Sequence, residues 1–401
     1  MYRTLLLTSW TLLMFAACDN AVSRHLAPDR DTTTVLPDGT IPVNDEVSID
    51  DHLLSPDEEA DDIGAVDLDG EDQTDALIRD DIGLDDLLID DDPLIPDLDI
   101  DLGDCPELTA GWNTDFIVTG EWSKDLSRSF IISLPDGIGQ RRDWPVVFNW
   151  HGVGVSADFF LPMLDGWQNN DTMPFILITP EDTGLPMATI PPQGVDWDNL
   201  VLDDGSIEAE LFDRIVECLD RQFGVDHARI HLTGFSAGSI TCDTLGVLRG
   251  ERVASIFTYS GAYFSNPANL ADLGAGAANF IHWPTLETSH KFVQVLVHGA
   301  GDPGCSTRDC GDPNGNCCDI WSTIGLSVNF EHMAENDAPY LSGLGHDVIL
   351  CDHGQGHLMG GVTQPSLIRF FHDHPLGTTI SPYRDGLIGE FYQFCALVPA
   401  Q

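Results

Sequence analysis

The chain has 401 residues, with 66 acidic and 17 lysine or arginine side chains and a formal net charge of −49. A surface this acidic repels phosphate, which argues against nucleic acid as a partner. The length could hold two domains, but the composition of the first quarter is not that of a folded domain.

The first 18 residues have the pattern of an export signal. Arg3 precedes an apolar stretch from Leu5 to Ala17, and Cys18 follows directly. The stretch is too short for a permanent membrane span and resembles a bacterial lipoprotein signal that ends at the lipidated cysteine. We therefore expect residues 1–18 to be this signal, with Cys18 lipidated and the protein membrane-anchored, facing the periplasm or the cell exterior. An ordinary secretory signal cleaved nearby is the alternative.

Residues 19–104 are expected to form a disordered, Asp/Glu-rich linker. From position 45 to 104, Arg79 is the sole lysine or arginine and aromatic residues are absent, so little apolar surface can be buried. A solvated spacer between the anchor and the rest of the protein is the favoured interpretation. Short apolar insertions such as Leu87-Leu88-Ile89 leave a weakly apolar partner as the alternative.

The ten cysteines fit an exported protein in an oxidising compartment. Four of them, Cys305, Cys310, Cys317 and Cys318, lie in one Gly/Asp/Asn-rich segment, where disulfides are favoured over a zinc site because paired Cys-x-x-Cys spacing is missing. If Cys18 is lipidated, nine cysteines remain and at least one thiol is free. Cys242 is the candidate for a buried, unreactive thiol.

Residues 105–401 read as one α/β domain. An antiparallel pair is expected at 116–118 and 129–134, and a helix over 207–223, where apolar residues recur on one face. Short apolar runs indicate further strands that are covered on both faces. These runs are 146–148, 175–178, 229–232 and 292–297. The alternation predicts a mostly parallel, doubly wound sheet whose site lies at the carboxyl ends of the strands.

The pentapeptide Gly234-Phe235-Ser236-Ala237-Gly238 is the most informative motif. It follows the apolar run that ends at Thr233 and leads into a stretch that can form a helix. A serine on a sharp strand-to-helix turn has an exposed hydroxyl and a free amide N–H beside it, as a nucleophile requires. Ser236 is therefore the candidate nucleophile.

The motifs together resemble those of α/β-hydrolases, and within that fold those of secreted polyhydroxybutyrate depolymerases and feruloyl esterases. The resemblance covers about residues 112–375 and is strongest from Val225 to Gly238. It also includes Asn149-Trp150-His151-Gly152, His298-Gly299-x-x-Asp302 and Gly356-His357. It implies an α/β-hydrolase fold with an esterase or depolymerase activity. The chain departs from the family pattern in a cysteine-rich insertion after Asp302 and in Leu358-Met359 after the histidine.

An acyl-transfer site needs a base and a carboxylate beside the serine. His357 is the expected base because it lies in a glycine-rich loop after the run Val348-Ile349-Leu350, with His353 as the rival. Asp302, five residues beyond the run that ends at Val297, is the expected acid. A plain turn role for Asp302 is the alternative, since several other aspartates lie nearby. These are Asp309, Asp312 and Asp319.

The backbone N–H groups of Val153 and Ala237 are the expected oxyanion donors. A plain strand-ending turn at His151-Gly152 is the alternative. The sequence thus predicts an exported serine esterase that acts on polyhydroxyalkanoate, hydroxybutyrate-oligomer or feruloyl-type esters through an acyl-enzyme, without a metal or organic cofactor. Two alternatives stay open. One is a surface-anchored binding protein that has lost turnover, and the other is a serine peptidase on the same fold.

Overall fold

A computed structural model describes residues 104–119, 126–182, 197, 206–273, 283–284, 290–299, 318–323, 326–389 and 391–401. These residues belong to a unit that spans Leu94–Gln401. Cys18, the signal over 1–18 and nearly all of the predicted linker over 19–104 lie outside the described residues. Among the described residues, no helix combines the length and the apolar character needed to cross a bilayer.

A nine-stranded mixed sheet forms the centre of this unit, in the order β1-β2-β4-β3-β5-β6-β7-β10-β11. The neighbours from β4 to β10 run parallel, whereas β1, β2 and β11 join the sheet antiparallel. A separate antiparallel hairpin consists of β8 and β9. The strands are β1 Gly111–Val118, β2 Leu126–Ser133, β3 Trp144–Trp150, β4 Ile176–Pro180, β5 Val225–Phe235, β6 Ser255–Tyr259, β7 Val293–His298, β8 Ile320–Thr323, β9 Leu326–Asn329, β10 Val348–Asp352 and β11 Cys395–Val398.

Helices flank the sheet and connect most of its parallel strands. The longest, α2, is amphipathic, and its apolar stripe packs against β1 and β5 beside α3. The helices are α1 Ala157–Phe160, α2 Ser206–Phe223, α3 Ala237–Leu248, α4 Pro267–Asp272, α5 Phe330–Gly343, α6 Gln364–Asp373 and α7 Phe391–Phe394.

The central strands bury side chains on both faces of the sheet. In β3, Val146 and Phe148 pack with α2 and α3, whereas Val147 lies in the core that includes α6 on the opposite face. Successive side chains of a strand point to opposite faces, so a strand covered on both sides must be apolar throughout. All seven residues of β3 are buried. The predicted mostly parallel α/β fold is confirmed.

Two disulfides tie peripheral segments to this core. Cys105 is bonded to Cys218 of α2, and Cys351 of β10 to Cys395 of β11. Cys318 is also disulfide-bonded, which agrees with the preference for disulfides over zinc at that cysteine. The other three cysteines of the insertion lie outside the described residues. Cys242 is a free, buried thiol, as expected, and burial raises its pKa well above the usual range.

Two buried carboxyl groups, Asp243 of α3 and Asp337 of α5, lie close enough for their charges to interact. Asp243 accepts a hydrogen bond from the Gln294 side chain at 2.7 Å, and Asp337 accepts one from the backbone N–H of Tyr263 at 2.9 Å. Burial raises the pKa of Asp337 to about 7. Burial, with a smaller contribution from the Asp337 charge, holds the pKa of Asp243 well above its usual range. Both groups therefore hold a proton more readily in the folded protein than an exposed aspartate does.

Replacing Asp243 by asparagine should stabilise the protein progressively as the pH rises. A carboxyl whose pKa is higher in the folded state stabilises fully below its unfolded pKa, and this contribution is lost as the pH passes the folded value. The asparagine side chain has no proton to lose, so the free energy of unfolding of Asp243→Asn relative to wild type should rise between pH 5 and pH 8, by about 1.4 kcal/mol for each pH unit over which the aspartate is ionised only in the unfolded chain. Urea unfolding at both pH values measures this, with the exposed Asp171→Asn as control. Parallel pH profiles for Asp243→Asn and wild type would contradict the expectation.

Candidate active site

Ser236 lies on a strained turn between β5 and α3. Its backbone has φ 57° and ψ −120°, a conformation that costs a non-glycine residue about 1–3 kcal/mol. The turn is held from β6, since the Ser236 N–H donates to the Tyr259 carbonyl at 2.9 Å. The hydroxyl of Ser239 adds a donor to that same carbonyl at 2.7 Å. The surrounding strands thus impose a conformation that the serine would not adopt by itself.

The two outer glycines of the motif are required by close packing. A Cβ at Gly234 would lie 2.6 Å from the carbonyl carbon of Gly238. A Cβ at Gly238 would lie 2.1 Å from the Trp150 carbonyl oxygen at the end of β3. Any side chain at either position would clash with backbone, so the spacing Gly-x-Ser-x-Gly follows from the tight passage of α3 over the strand ends.

His357 reaches Ser236 from the loop after β10. Its Nε2 lies 3.1 Å from the Ser236 Oγ, so the predicted pair is brought within hydrogen-bonding distance. The ring contacts two aromatic rings: it stacks on Phe330 with the centroids 4.9 Å apart, and the Phe235 centroid lies 4.7 Å away. These contacts fix the plane of the imidazole, and 19% of the side chain stays exposed.

Asp319 is the carboxylate that contacts His357. The His357 Nδ1 lies 2.7 Å from the Asp319 Oδ1, and Asp319 is fully buried just before the β8 strand. Asp302, the residue expected in this position, lies outside the described residues, as do Asp309 and Asp312. Among the described residues, the carboxylate beside the histidine is thus Asp319, which follows the cysteine-rich insertion.

Two groups on neighbouring segments hold Asp319 in place. The Ser260 hydroxyl lies 3.0 Å from the Oδ1 and 2.9 Å from the Oδ2, and the Gly299 N–H donates to the Oδ2 at 3.0 Å. Ser260 follows β6 directly and has φ 56°, a left-handed conformation for a non-glycine residue. Its N–H donates to the Val297 carbonyl, which anchors that conformation. Sequence reasoning missed Ser260, because a lone serine after a strand has no distinguishing pattern.

The other histidines near the site have different partners. His353, the rival base, has its Nδ1 positioned to accept from the Gln355 N–H and its Nε2 3.1 Å from the Leu358 carbonyl, so it braces the loop that carries His357. His298 is buried at the end of β7. Burial lowers the pKa of both rings, which favours their neutral forms.

The expected oxyanion donors lie on segments that adjoin Ser236. Ala237 is the first residue of α3, where backbone N–H groups have no partner within the helix. Val153 lies in the loop after β3, and this loop contacts the serine: a Cβ at Gly152 would lie 3.3 Å from the Ser236 Cβ. The two segments therefore meet beside the serine hydroxyl.

This arrangement can transfer a proton from the serine to the histidine. Because Asp319 can only accept when ionised, the His357 Nδ1 carries the hydrogen and its Nε2 can accept the Ser236 proton. The buried carboxylate would then stabilise the imidazolium. Such a chain of hydrogen bonds activates a hydroxyl for attack on a carbonyl carbon.

Sequence comparison finds two feruloyl esterases. No family model matches the chain. Feruloyl esterase D from Neurospora crassa is 26% identical over 168 residues, which covers 41% of this chain and 54% of the relative. Probable feruloyl esterase C from Aspergillus terreus is 25% identical over 196 residues, or 47% of this chain and 66% of the relative. The chain thus spans between half and two thirds of the curated relatives it matches.

Solved structures share the fold. The crystal structure of native pOPH matches with a TM-score of 0.54 and 17% identity, covering 74% of this chain and 97% of that chain. Native sOPH matches with a TM-score of 0.53 and 18% identity over the same shares. The chain therefore has an α/β-hydrolase fold and is similar in sequence to feruloyl esterases.

Proposed function

We propose that the protein is a serine esterase that hydrolyses carboxylic esters through Ser236, His357 and Asp319. The observation that carries the proposal is the continuous chain of short contacts from the Ser236 Oγ to the His357 Nε2 and from the Nδ1 to Asp319. The strained backbone at Ser236 supports it, since the strain is held in place by the surrounding sheet. Asp319 takes the role that the sequence assigned to Asp302.

In the first step the Ser236 Oγ attacks the ester carbonyl carbon while its proton moves to the His357 Nε2. The carbonyl oxygen becomes an oxyanion, which the N–H groups of Ala237 and Val153 are expected to stabilise. His357 then gives the proton to the alkoxy oxygen as the carbon–oxygen bond breaks. The alcohol leaves and an acyl group remains on Ser236.

In the second step water takes the place of the alcohol. His357 accepts a proton from the water molecule while the water oxygen attacks the acyl carbon. The second tetrahedral oxyanion collapses, the bond to the Ser236 Oγ breaks, and His357 returns the proton to the serine. The carboxylic acid is released. Throughout both steps the buried Asp319 holds the imidazole in one tautomer and offsets its positive charge.

Feruloyl-type esters are the proposed substrate class. The support is sequence similarity to two feruloyl esterases, and the resemblance of the motifs to polyhydroxybutyrate depolymerases makes hydroxybutyrate oligomers the alternative. We expect Ser236-dependent hydrolysis of methyl ferulate, measured beside a p-nitrophenyl ester series of increasing acyl length and a hydroxybutyrate oligomer. Turnover of the oligomer alone would move the substrate to the depolymerase class. Folded protein without turnover on any ester would overturn the esterase proposal.

We further propose that the enzyme is exported and anchored by a lipid on Cys18. The disulfides Cys105–Cys218 and Cys351–Cys395 support export, because such bonds persist in oxidising compartments. Metabolic labelling with a palmitate analogue in a bacterial host should mark the wild type and leave Cys18→Ser unmarked. Equal labelling of the two proteins would contradict the anchor.

Replacing Ser260 by alanine should impair the positioning of Asp319. The change removes a donor to both carboxylate oxygens, and a hydrogen bond to a charged group is worth about 1.5 kcal/mol, or roughly tenfold in kcat. Without this hydrogen bond, the negative charge of Asp319 stabilises the protonated His357 ring more strongly. The acidic limb of the kcat/KM profile should therefore move to higher pH. Ser255→Ala is the matched control, since Ser255 is a buried serine of the preceding strand that contacts His231 instead. An unchanged pH profile would show that Ser260 is only structural.

A further inference from the structure

Among the described residues, one ring nitrogen of the buried His151 has no hydrogen-bond partner. The residue follows β3 and is fully buried. Its Nδ1 lies 2.9 Å from the Gly152 carbonyl oxygen, and because a carbonyl can only accept, the Nδ1 carries the hydrogen. In the neutral ring the Nε2 therefore presents a lone pair. Within the described part of the chain this atom has no hydrogen-bond partner.

The Nε2 lone pair faces another acceptor. Glu181 follows β4 and uses its Oε2 to accept the Ala157 N–H at 2.9 Å, while its Oε1 lies 3.8 Å from the His151 Nε2. Asp182 brings a second carboxylate, and one ligand atom from each of the three residues lies within 4.8 Å of the others. Two acceptors this close repel unless a hydrogen-bond donor or a cation lies between them.

The arginine beside this cluster does not supply the cation. Arg128 contacts the Glu181 backbone carbonyl and not its carboxylate, and its charge is paired with Glu208 at 3.1 Å. The Arg128 guanidinium is thus paired with another carboxylate.

The donor set suits a divalent metal ion. Imidazole and carboxylate together bind Zn²⁺, and a metal-bound histidine characteristically donates its other ring N–H to a backbone carbonyl, as His151 does to Gly152. Ligand atoms about 2.1 Å from a tetrahedral zinc lie roughly 3.4 Å apart. The 3.8 Å between the Nε2 and the Oε1 is close to that spacing.

We propose that His151, Glu181 and Asp182 bind Zn²⁺, with water completing the coordination. The ion would join the ends of β3 and β4 beside the loop that carries Gly152 and Val153. It takes no part in the hydrolytic steps, because the Ser236 site has its own base and donors. Zinc binding at this site can therefore be tested separately from the esterase activity.

Zinc binding is tested on the full-length protein after removal of metal with dipicolinate and desalting. Equilibrium dialysis against Zn²⁺ gives the stoichiometry, and thermal unfolding gives a readout that does not depend on activity. Zinc at 100 times its Kd should raise the Tm by about 5 °C. The wild type should bind one more zinc than Glu181→Gln or Asp182→Asn, and both variants should lose the rise in Tm. The amide of Glu181→Gln keeps an oxygen for the Ala157 N–H, so the start of α1 is preserved.

Asp158→Asn is the matched control, because Asp158 is a neighbouring carboxylate outside the proposed ligand set. It should keep both the extra zinc and the rise in Tm. Equal zinc stoichiometry in the wild type and the two ligand variants would overturn the proposal, since the acidic surface would then account for all binding. A wild-type Tm that zinc does not raise would overturn it as well.

Discussion

Asparagine in place of Asp319 is expected to lower kcat by about 10⁴-fold while leaving the protein folded. The carboxylate accepts the His357 Nδ1–H at 2.7 Å. An amide at this position can offer its NH₂ group to the ring and so favour the tautomer whose Nε2 carries the hydrogen. That ring cannot accept the Ser236 proton. The measurement is steady-state hydrolysis of p-nitrophenyl and feruloyl esters, with KM reported beside kcat.

Asp302→Asn is the control that separates Asp319 from the residue the sequence favoured. It makes the same chemical change five residues past Val297 and should keep kcat within about threefold of wild type. If Asp302→Asn abolished turnover and Asp319→Asn did not, Asp302 would be the acid and the contact between Asp319 and His357 would be structural. Circular dichroism and thermal unfolding confirm that each variant is folded.

Replacing Ser236 by alanine should remove the nucleophile and reduce kcat by about 10⁴-fold or more. The turn should keep its conformation, because the Ser236 N–H that donates to the Tyr259 carbonyl belongs to the backbone. Alanine has the same Cβ as serine and adds no clash at this φ, so the Tm should stay close to that of wild type. Product release is followed with the best ester of the substrate series.

Ser127→Ala, an exposed serine on β2, controls for the loss of a hydroxyl as such. It should retain full activity. A Ser236→Ala variant that keeps more than about one tenth of wild-type turnover would exclude covalent catalysis by Ser236.

The sheet and the serine turn could be predicted because their signals are local. Apolar runs at β3, β4, β5 and β7 indicate strands covered on both faces, and the apolar stripe of α2 has helical spacing. β6 was missed although it is fully buried, since Ser255 and Thr258 interrupt its apolar pattern. Whether such a segment forms a strand depends on hydrogen bonds to neighbouring strands, and these cannot be read from the segment itself.

The proposed acid, Asp319, could not be chosen from the sequence because its position beside His357 depends on long-range packing. Local sequence position favours Asp302 as the acid, because this residue closely follows β7. Asp319 lies after the insertion, yet Ser260 from the end of β6 and Gly299 from the end of β7 orient its carboxylate. No spacing rule relates these three residues. The same holds for His151 and Glu181, which are adjacent only because β3 and β4 pair in parallel.

Labelling with a fluorophosphonate tests the central claim most directly. Wild-type protein is treated with the probe, digested, and mapped by mass spectrometry, in parallel with Asp319→Asn and Asp302→Asn. The account predicts a single adduct on Ser236, formed rapidly in the wild type and Asp302→Asn and orders of magnitude more slowly in Asp319→Asn. An adduct on another residue, no adduct in folded wild type, or equal labelling rates in all three proteins would contradict it.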